Sequence, residues 1–224
     1  MKDYSKQNNE RIVKNTLTLY VRTALVMLVS LFTSRVVLSA LGIEDYGIYN
    51  IVGGVVVMFS VVSGALSASI SRFITFELGR ADMRKLRRIF STSINIQVGI
   101  SLLILILGET VGIWFLNYKM NIPLDRLEAA NWVLQCSLIT FVINLVSVPY
   151  NAVIIAHEKM SAFAYVSILE VILKLLIAYL LYISIWDKLV VYSLLLVLVA
   201  MTIRIVYGAV SYTHLRAHET PEHL

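Results

Sequence analysis

Six stretches of this 224-residue chain are long and apolar: Leu17–Leu41, Gly47–Ser71, Phe90–Leu116, Ala130–Ile155, Phe163–Ile185 and Leu189–Ala209. A helix needs about 20 mostly apolar residues to cross roughly 30 Å of hydrocarbon, and each stretch reaches that length. In lipid every backbone N–H and C=O must find a partner inside the protein, which leaves helices or a closed barrel. The stretches lack strand alternation and are too long for barrel strands. They predict an all-α membrane protein, a polytopic bundle of six transmembrane helices.

Composition supports lipid as the solvent. The chain is 58% hydrophobic and 15% charged, whereas a soluble domain is about 45–50% apolar and about 25% charged. The net charge of +5 does not point to nucleic acid, because the basic residues gather between the apolar stretches. Lys2, Lys6, Arg11, Lys14, Arg80, Arg84, Lys85, Arg87, Arg88 and Lys159 fall on one side of the predicted bundle, and Lys119, Arg126 and Lys188 on the other. By the positive-inside rule, ten against three places the amino terminus in the cytoplasm. The first stretch has no small-residue cleavage site after it and reads as a retained span. A lone cysteine, Cys136, allows no intrachain disulfide.

The expected organisation is a cytoplasmic segment over 1–16, a transmembrane lobe over 17–209 and a tail over 210–224. The text VSYTHLRAHET from Val210 onward resembles translated sequencing adapter, and the apolar pattern stops there. Ser211–Leu224 is therefore set aside as a non-native tail, with His214, His218 and His223, and the chain is expected to be part of a longer protein.

Charged groups inside the spans need a reason, because each costs about 2.5–3.5 kcal/mol at a helix centre on insertion scales. Arg22 and Arg35 are separated by roughly 20 Å of helix, so both can snorkel to opposite interfaces. Alternatively, they face a hydrated cavity and contact a phosphate, which suits the arginine fork. Arg72 reads as snorkelling, with exposure to a cavity as the alternative. Glu170 and Lys174 stand near the midplane at the i,i+4 spacing that favours an ion pair. Either they neutralise each other, or Glu170 couples transport to an ion and Lys174 contacts an anion. Glu109 reads as hydrated near a span end, and Arg204 as close to another. Pro149 deletes a backbone hydrogen bond and is a candidate hinge. Ser60, Gly64 and Ala68, with Ser63, Ser67 and Ser71, fit either close helix packing or the wall of a polar cavity. Asn144 and Asn151 fit a sugar or a neighbouring helix.

Catalytic constellations are missing: there is no glycine-rich phosphate cradle, nucleophile elbow or metal-ligand spacing, and His157 stands alone. The reading is a transporter and not an enzyme, with no cofactor and no metal.

The stretch SRVVLSALGIEDYGIYNIVGG resembles the first-hairpin signature of bacterial polysaccharide flippases. VPYNAVIIAHEKMSAFAYVSI resembles their fourth-to-fifth span connection. The resemblance covers about Asn15 to Ala209 and implies the first half of a two-lobe transporter of the multidrug/oligosaccharidyl-lipid/polysaccharide exporter superfamily. Such proteins flip undecaprenyl-pyrophosphate-linked oligosaccharide across the inner membrane. The resemblance implies lipid-linked oligosaccharide, membrane lipids, a coupling H+ or Na+ and the second lobe as partners. By analogy Arg22, Arg35 and Lys174 contact the anion and Glu170 couples. A cation-coupled drug exporter of the efflux branch is the first alternative, against which the embedded charges lean basic. A non-transporting scaffold of polysaccharide assembly is the second.

Overall fold

The computed structural model describes residues 2–80, 82–156 and 160–217. His157, Lys159, His218 and His223 lie outside these residues. Every described element is helical. The elements are α1 (Lys2–Val57), α2 (Ser60–Gly79), α3 (Met83–Leu107), a π turn (Gly108–Gly112), α4 (Ile113–Tyr118), a 3-10 turn (Leu124–Arg126), α5 (Leu127–Ala156), α6 (Met160–Ile183) and α7 (Lys188–Ala217). Five helical segments among the described residues are long and apolar enough to cross a membrane: Asn15–Val57, Arg84–Tyr118, Leu124–Ala156, Met160–Ile183 and Lys188–Ala209.

The first of these is two helices joined at one residue. Gly42 has φ 83° and ψ 172°, a conformation that only glycine adopts freely. Val37 and Tyr46, five residues before and four after Gly42, line the same cavity as Thr33 and Asn50, nine before and eight after. On a straight helix Thr33 and Asn50 would be about 26 Å apart, too far to share it. The chain therefore doubles back, and the limbs before and after Gly42 run antiparallel. The hairpin expected over Gly42–Tyr46 is present, but helix resumes directly after Gly42.

The expected single span Gly47–Ser71 is divided. Helix ends at Val57, and the Phe59 N–H bonds the Val56 carbonyl at 3.1 Å, three residues back instead of four. This 3-10 tightening follows two glycines and three valines, Gly53–Val57, all weak helix formers. α2 then extends to Gly79, past the predicted end. The third span is interrupted too, by the π turn Gly108–Gly112. There α3 approaches α5 so closely that a Cβ on Gly108 would lie 2.5 Å from the Leu138 side chain.

α3 begins at Asp82, whose carboxylate accepts from the Lys85 N–H at 3.1 Å and caps the helix. That backbone hydrogen bond holds the Asp82 carboxyl below its usual range. α5 is the hub and packs against α1, α2, α3, α6 and α7. Buried apolar residues form three clusters around it, centred on Val37–Leu181–Tyr207, on Val52–Leu134–Leu145 and on Ile74–Leu86–Val153. Large apolar side chains such as Leu28, Leu31, Phe32, Ile172 and Ile205 point outward, as they must where hydrocarbon is the solvent.

Two ends of the bundle can be told apart by their contacts. At the Gly42 end, Arg126 reaches Asp45 and Asp187, and the Lys188 ammonium donates to the Ala40 carbonyl at 3.3 Å. The Asp82 turn marks the opposite end.

Candidate functional site: a neutral polar cavity beside a lysine chamber

The break in the second span opens the largest cavity described, about 540 Å³. Its walls come from the second limb of α1 (Tyr49, Asn50, Gly53, Gly54), the start of α2 (Ser60, Ser63), α5 (Cys136, Ser137, Thr140, Asn144) and α7 (Ser193, Leu196). Irregular backbone at membrane depth persists where it lines such a cavity, and here the tightened Val56–Ser60 segment does so. Amides and hydroxyls supply the polar lining, and no charged residue takes part. Most of the wall is apolar. The Asn50 amide donates to the Tyr46 carbonyl and the Ser193 hydroxyl to the Val190 carbonyl, both at 2.8 Å. Their oxygens remain as acceptors beside Ser137, Thr140 and Asn144 for a neutral, hydroxyl-bearing group, with no counter-charge for a cation.

A smaller chamber of about 200 Å³ adjoins it, lined by Ser30, Thr33 and Ser34 of α1's first limb, Val171 and Lys174 of α6, and Tyr192 of α7. Tyr49 and Asn50 line both spaces and form the partition between them. Tyr49 is fixed edge-on against Tyr192, with ring centroids 5.0 Å apart. Lys174 is bound to Glu170 at 2.6 Å, and both side chains stay partly exposed, at 43% and 35%.

The predicted cations therefore separate. Lys174 lines the chamber. Arg22 lies elsewhere, its guanidinium 4.3 Å from the Phe163 ring centroid, with a buried Nε that makes no hydrogen bond. Arg35 is exposed and lines neither space. Arg72 is exposed, and Arg204 stacks 3.7 Å from the Tyr150 ring centroid. Glu109 accepts from Gln135 at 3.0 Å in the π turn. Pro149 is buried inside α5. Asn144 and Ser60 reach the large cavity, whereas Asn151 does not. Among the described residues no three His, Cys, Asp or Glu side chains gather as metal ligands.

Sequence reasoning passed over Asn50, Ser137, Thr140 and Ser193. Their signal was faint, because single small polar residues in apolar spans usually serve packing. Only the convergence of three helices makes them a wall.

The sequence profile of the MatE family matches residues 19–180, from the first limb of α1 nearly to the end of α6. No curated protein and no solved structure matches the chain.

Proposed function

The chain belongs to the MatE family of membrane transporters, and on that premise we propose that it forms one lobe of an exporter for lipid-linked oligosaccharide. In this reading the lobe, with its amino terminus in the cytoplasm of a bacterial cell, moves undecaprenyl-pyrophosphate-linked sugar outward by alternating access with a second lobe. The observation that carries the reading is the neutral lining of the large cavity. Asn50, Ser137, Thr140, Asn144 and Ser193 suit sugar hydroxyls, and a cationic drug would find no carboxylate there. Lys174, one partition away, is the cation placed to meet the pyrophosphate when it displaces Glu170. Arg22 and Arg35 act nearer the two ends of the path, as attraction for the head group and not as cavity contacts. A proton or Na+ supplies the drive through Glu170.

The efflux reading has one supporting feature, the mostly apolar area around the polar groups, where aromatic drugs stack on Tyr49 and Phe141. Proteoliposomes carrying the complete transporter decide between them. The proposal expects translocation of a fluorescent polyprenyl-pyrophosphate glycan, reduced about tenfold in Asn50→Leu and in Asn144→Leu. Extrusion of cationic dyes that depends on the same residues, with no glycan movement, overturns it.

A further inference from the structure

Among the described residues the most buried polar side chain makes no hydrogen bond. Gln97 of α3 is 0% exposed, and neither its Oε1 nor its Nε2 makes a hydrogen bond to the protein. One turn later Ser101 is 4% exposed, and its Oγ is also unbonded. Buried polar atoms are nearly always satisfied, so two orphans on consecutive turns of one face call for a ligand.

The register of α3 on α5 shows what lies opposite. Gly108 faces Leu138, and Gly112 faces Leu134 at 3.6 Å, so the two helices run antiparallel. Seven residues back from Gly108 is Ser101, and seven forward from Leu138 is Leu145. Eleven residues along each helix are Gln97 and Pro149. Steps of seven and eleven return to the same helix face. Ser101 is therefore level with Leu145, and Gln97 with Pro149. Leu145 is 0% exposed and Pro149 is fully buried. Pro149 has no N–H, so the Leu145 carbonyl loses its intrahelical donor. A helix carbonyl points towards the C terminus, so the Leu145 carbonyl is directed along α5 towards Pro149, at the level of α3 that lies between Ser101 and Gln97.

We propose that Gln97, Ser101 and the Leu145 carbonyl together hold one internal water at the Pro149 break in α5. Three partners is the usual complement of a buried water, and this polar site in a dry bundle supplies three. The Gln97 Nε2 donates to the water, and the water donates to the Leu145 carbonyl and to the Ser101 Oγ. The break becomes a hydrated joint, because a water can follow the carbonyl as α5 bends while a direct bond would resist. The joint lies one turn beyond Asn144, so its angle positions the α5 wall of the large cavity.

A double-mutant cycle on the full chain in nanodiscs tests this, with unfolding followed by a fluorogenic thiol reagent at buried Cys136. Gln97→Leu and Ser101→Ala should each lower the unfolding temperature by a few degrees. With Pro149→Ala the Leu145 carbonyl regains its own N–H, and Gln97→Leu should then raise the temperature by removing an idle amide. Ser101→Ala should become neutral in that background. Equal effects of both substitutions with and without Pro149 overturn the proposal. Coupling of Gln97 alone to Pro149 overturns the water in favour of a direct amide–carbonyl bond. If Gln97→Leu does not fold, Gln97→Met runs the same cycle.

Discussion

Arg126 grips Asp45 with two parallel hydrogen bonds, Nε to Oδ1 at 2.8 Å and Nη2 to Oδ2, across 81 residues of sequence. Its remaining Nη1 holds Asp187 at 2.6 Å. One guanidinium thus ties the Gly42 hairpin, the start of α5 and the α6–α7 turn. The Arg126 and Asp45 side chains are only 23% and 13% exposed, so the pair is shielded more than a surface bridge. Arg126→Ala is expected to destabilise the bundle by about 1–3 kcal/mol, because it strands two carboxylates that had charged donors. Arg126→Lys should recover less than half, since an ammonium cannot reproduce the fork. Thermal unfolding in nanodiscs checks both, and an Arg126→Ala protein as stable as the parent refutes the clasp.

Gly42 makes a second expectation. Nothing lies within 4 Å of a Cβ built there, so substitution meets no steric neighbour. The penalty is the backbone's alone: at φ 83° an L residue is strained by about 1–3 kcal/mol. Gly47 and Gly53 have equal room and helical backbones. Gly42→Ala should therefore destabilise the chain, while Gly47→Ala and Gly53→Ala should be neutral or stabilising by up to about 1 kcal/mol. Equal stabilities for all three variants would remove the single-residue reversal.

How much of this was legible beforehand follows from the range of the interactions. Hydropathy is a local sum, and it located the apolar spans, the Gly42 hairpin and the i,i+4 pair Glu170–Lys174, which the structure shows at 2.6 Å. The break at Met58–Phe59 and the π turn at Gly108 were invisible to it, because a tightened or widened turn changes no residue's polarity. Arg126 was counted only as a loop charge, and its partners lie 81 and 61 residues away. The sequence distinguished the three candidate cations only by depth, with Lys174 near the midplane and Arg22 and Arg35 bracketing the first span. Packing distinguishes them, with Lys174 at a chamber wall, Arg22 on an aromatic ring and Arg35 outside.

Asp82 gives the chain an acid-sensitive helix start. Its folded pKa is depressed, so the cap is intact above the ordinary aspartate pKa and weakens as pH falls through the lowered folded value. Amide hydrogen exchange at Lys85 and Leu86, corrected for its intrinsic pH dependence, should rise as the pH is lowered through that window. Asp82→Asn, which keeps a capping oxygen without charge, should remove the pH dependence while retaining most protection. Unchanged exchange across the window would show that the cap contributes nothing to helix 3.

The cavity wall predicts a division between binding and folding. Asn144 is exposed to the large cavity, and among the described residues no hydrogen bond ties it to another helix. Asn144→Leu should leave insertion unchanged and stability within about 0.5 kcal/mol of the parent. Glycan translocation should nevertheless fall by about tenfold, the consequence of losing roughly 1.4 kcal/mol of hydrogen bonding to substrate. A variant that loses stability in step with transport would mark Asn144 as a packing residue.

Lys174 offers the sharpest test, because magnitude separates its two roles. Lys174 lines the chamber, and with water filling it an i,i+4 pair is worth only about 0.3–0.5 kcal/mol, so Lys174→Met and Glu170→Gln should each unfold close to the parent temperature. If the pair is merely self-neutralising, transport follows stability and barely changes. If the ammonium receives pyrophosphate, the variants diverge. Lys174→Met loses binding of a polyprenyl pyrophosphate, while Glu170→Gln frees the ammonium from its 2.6 Å partner and binds it more tightly. Coupling to the ion should fail in Glu170→Gln even so, leaving affinity raised and turnover stalled. Binding of a fluorescent polyprenyl pyrophosphate to the two variants, measured beside translocation, reads each limb separately. Equal affinity in both would leave Lys174 as a structural partner of Glu170 and transfer the anion contact to another cation.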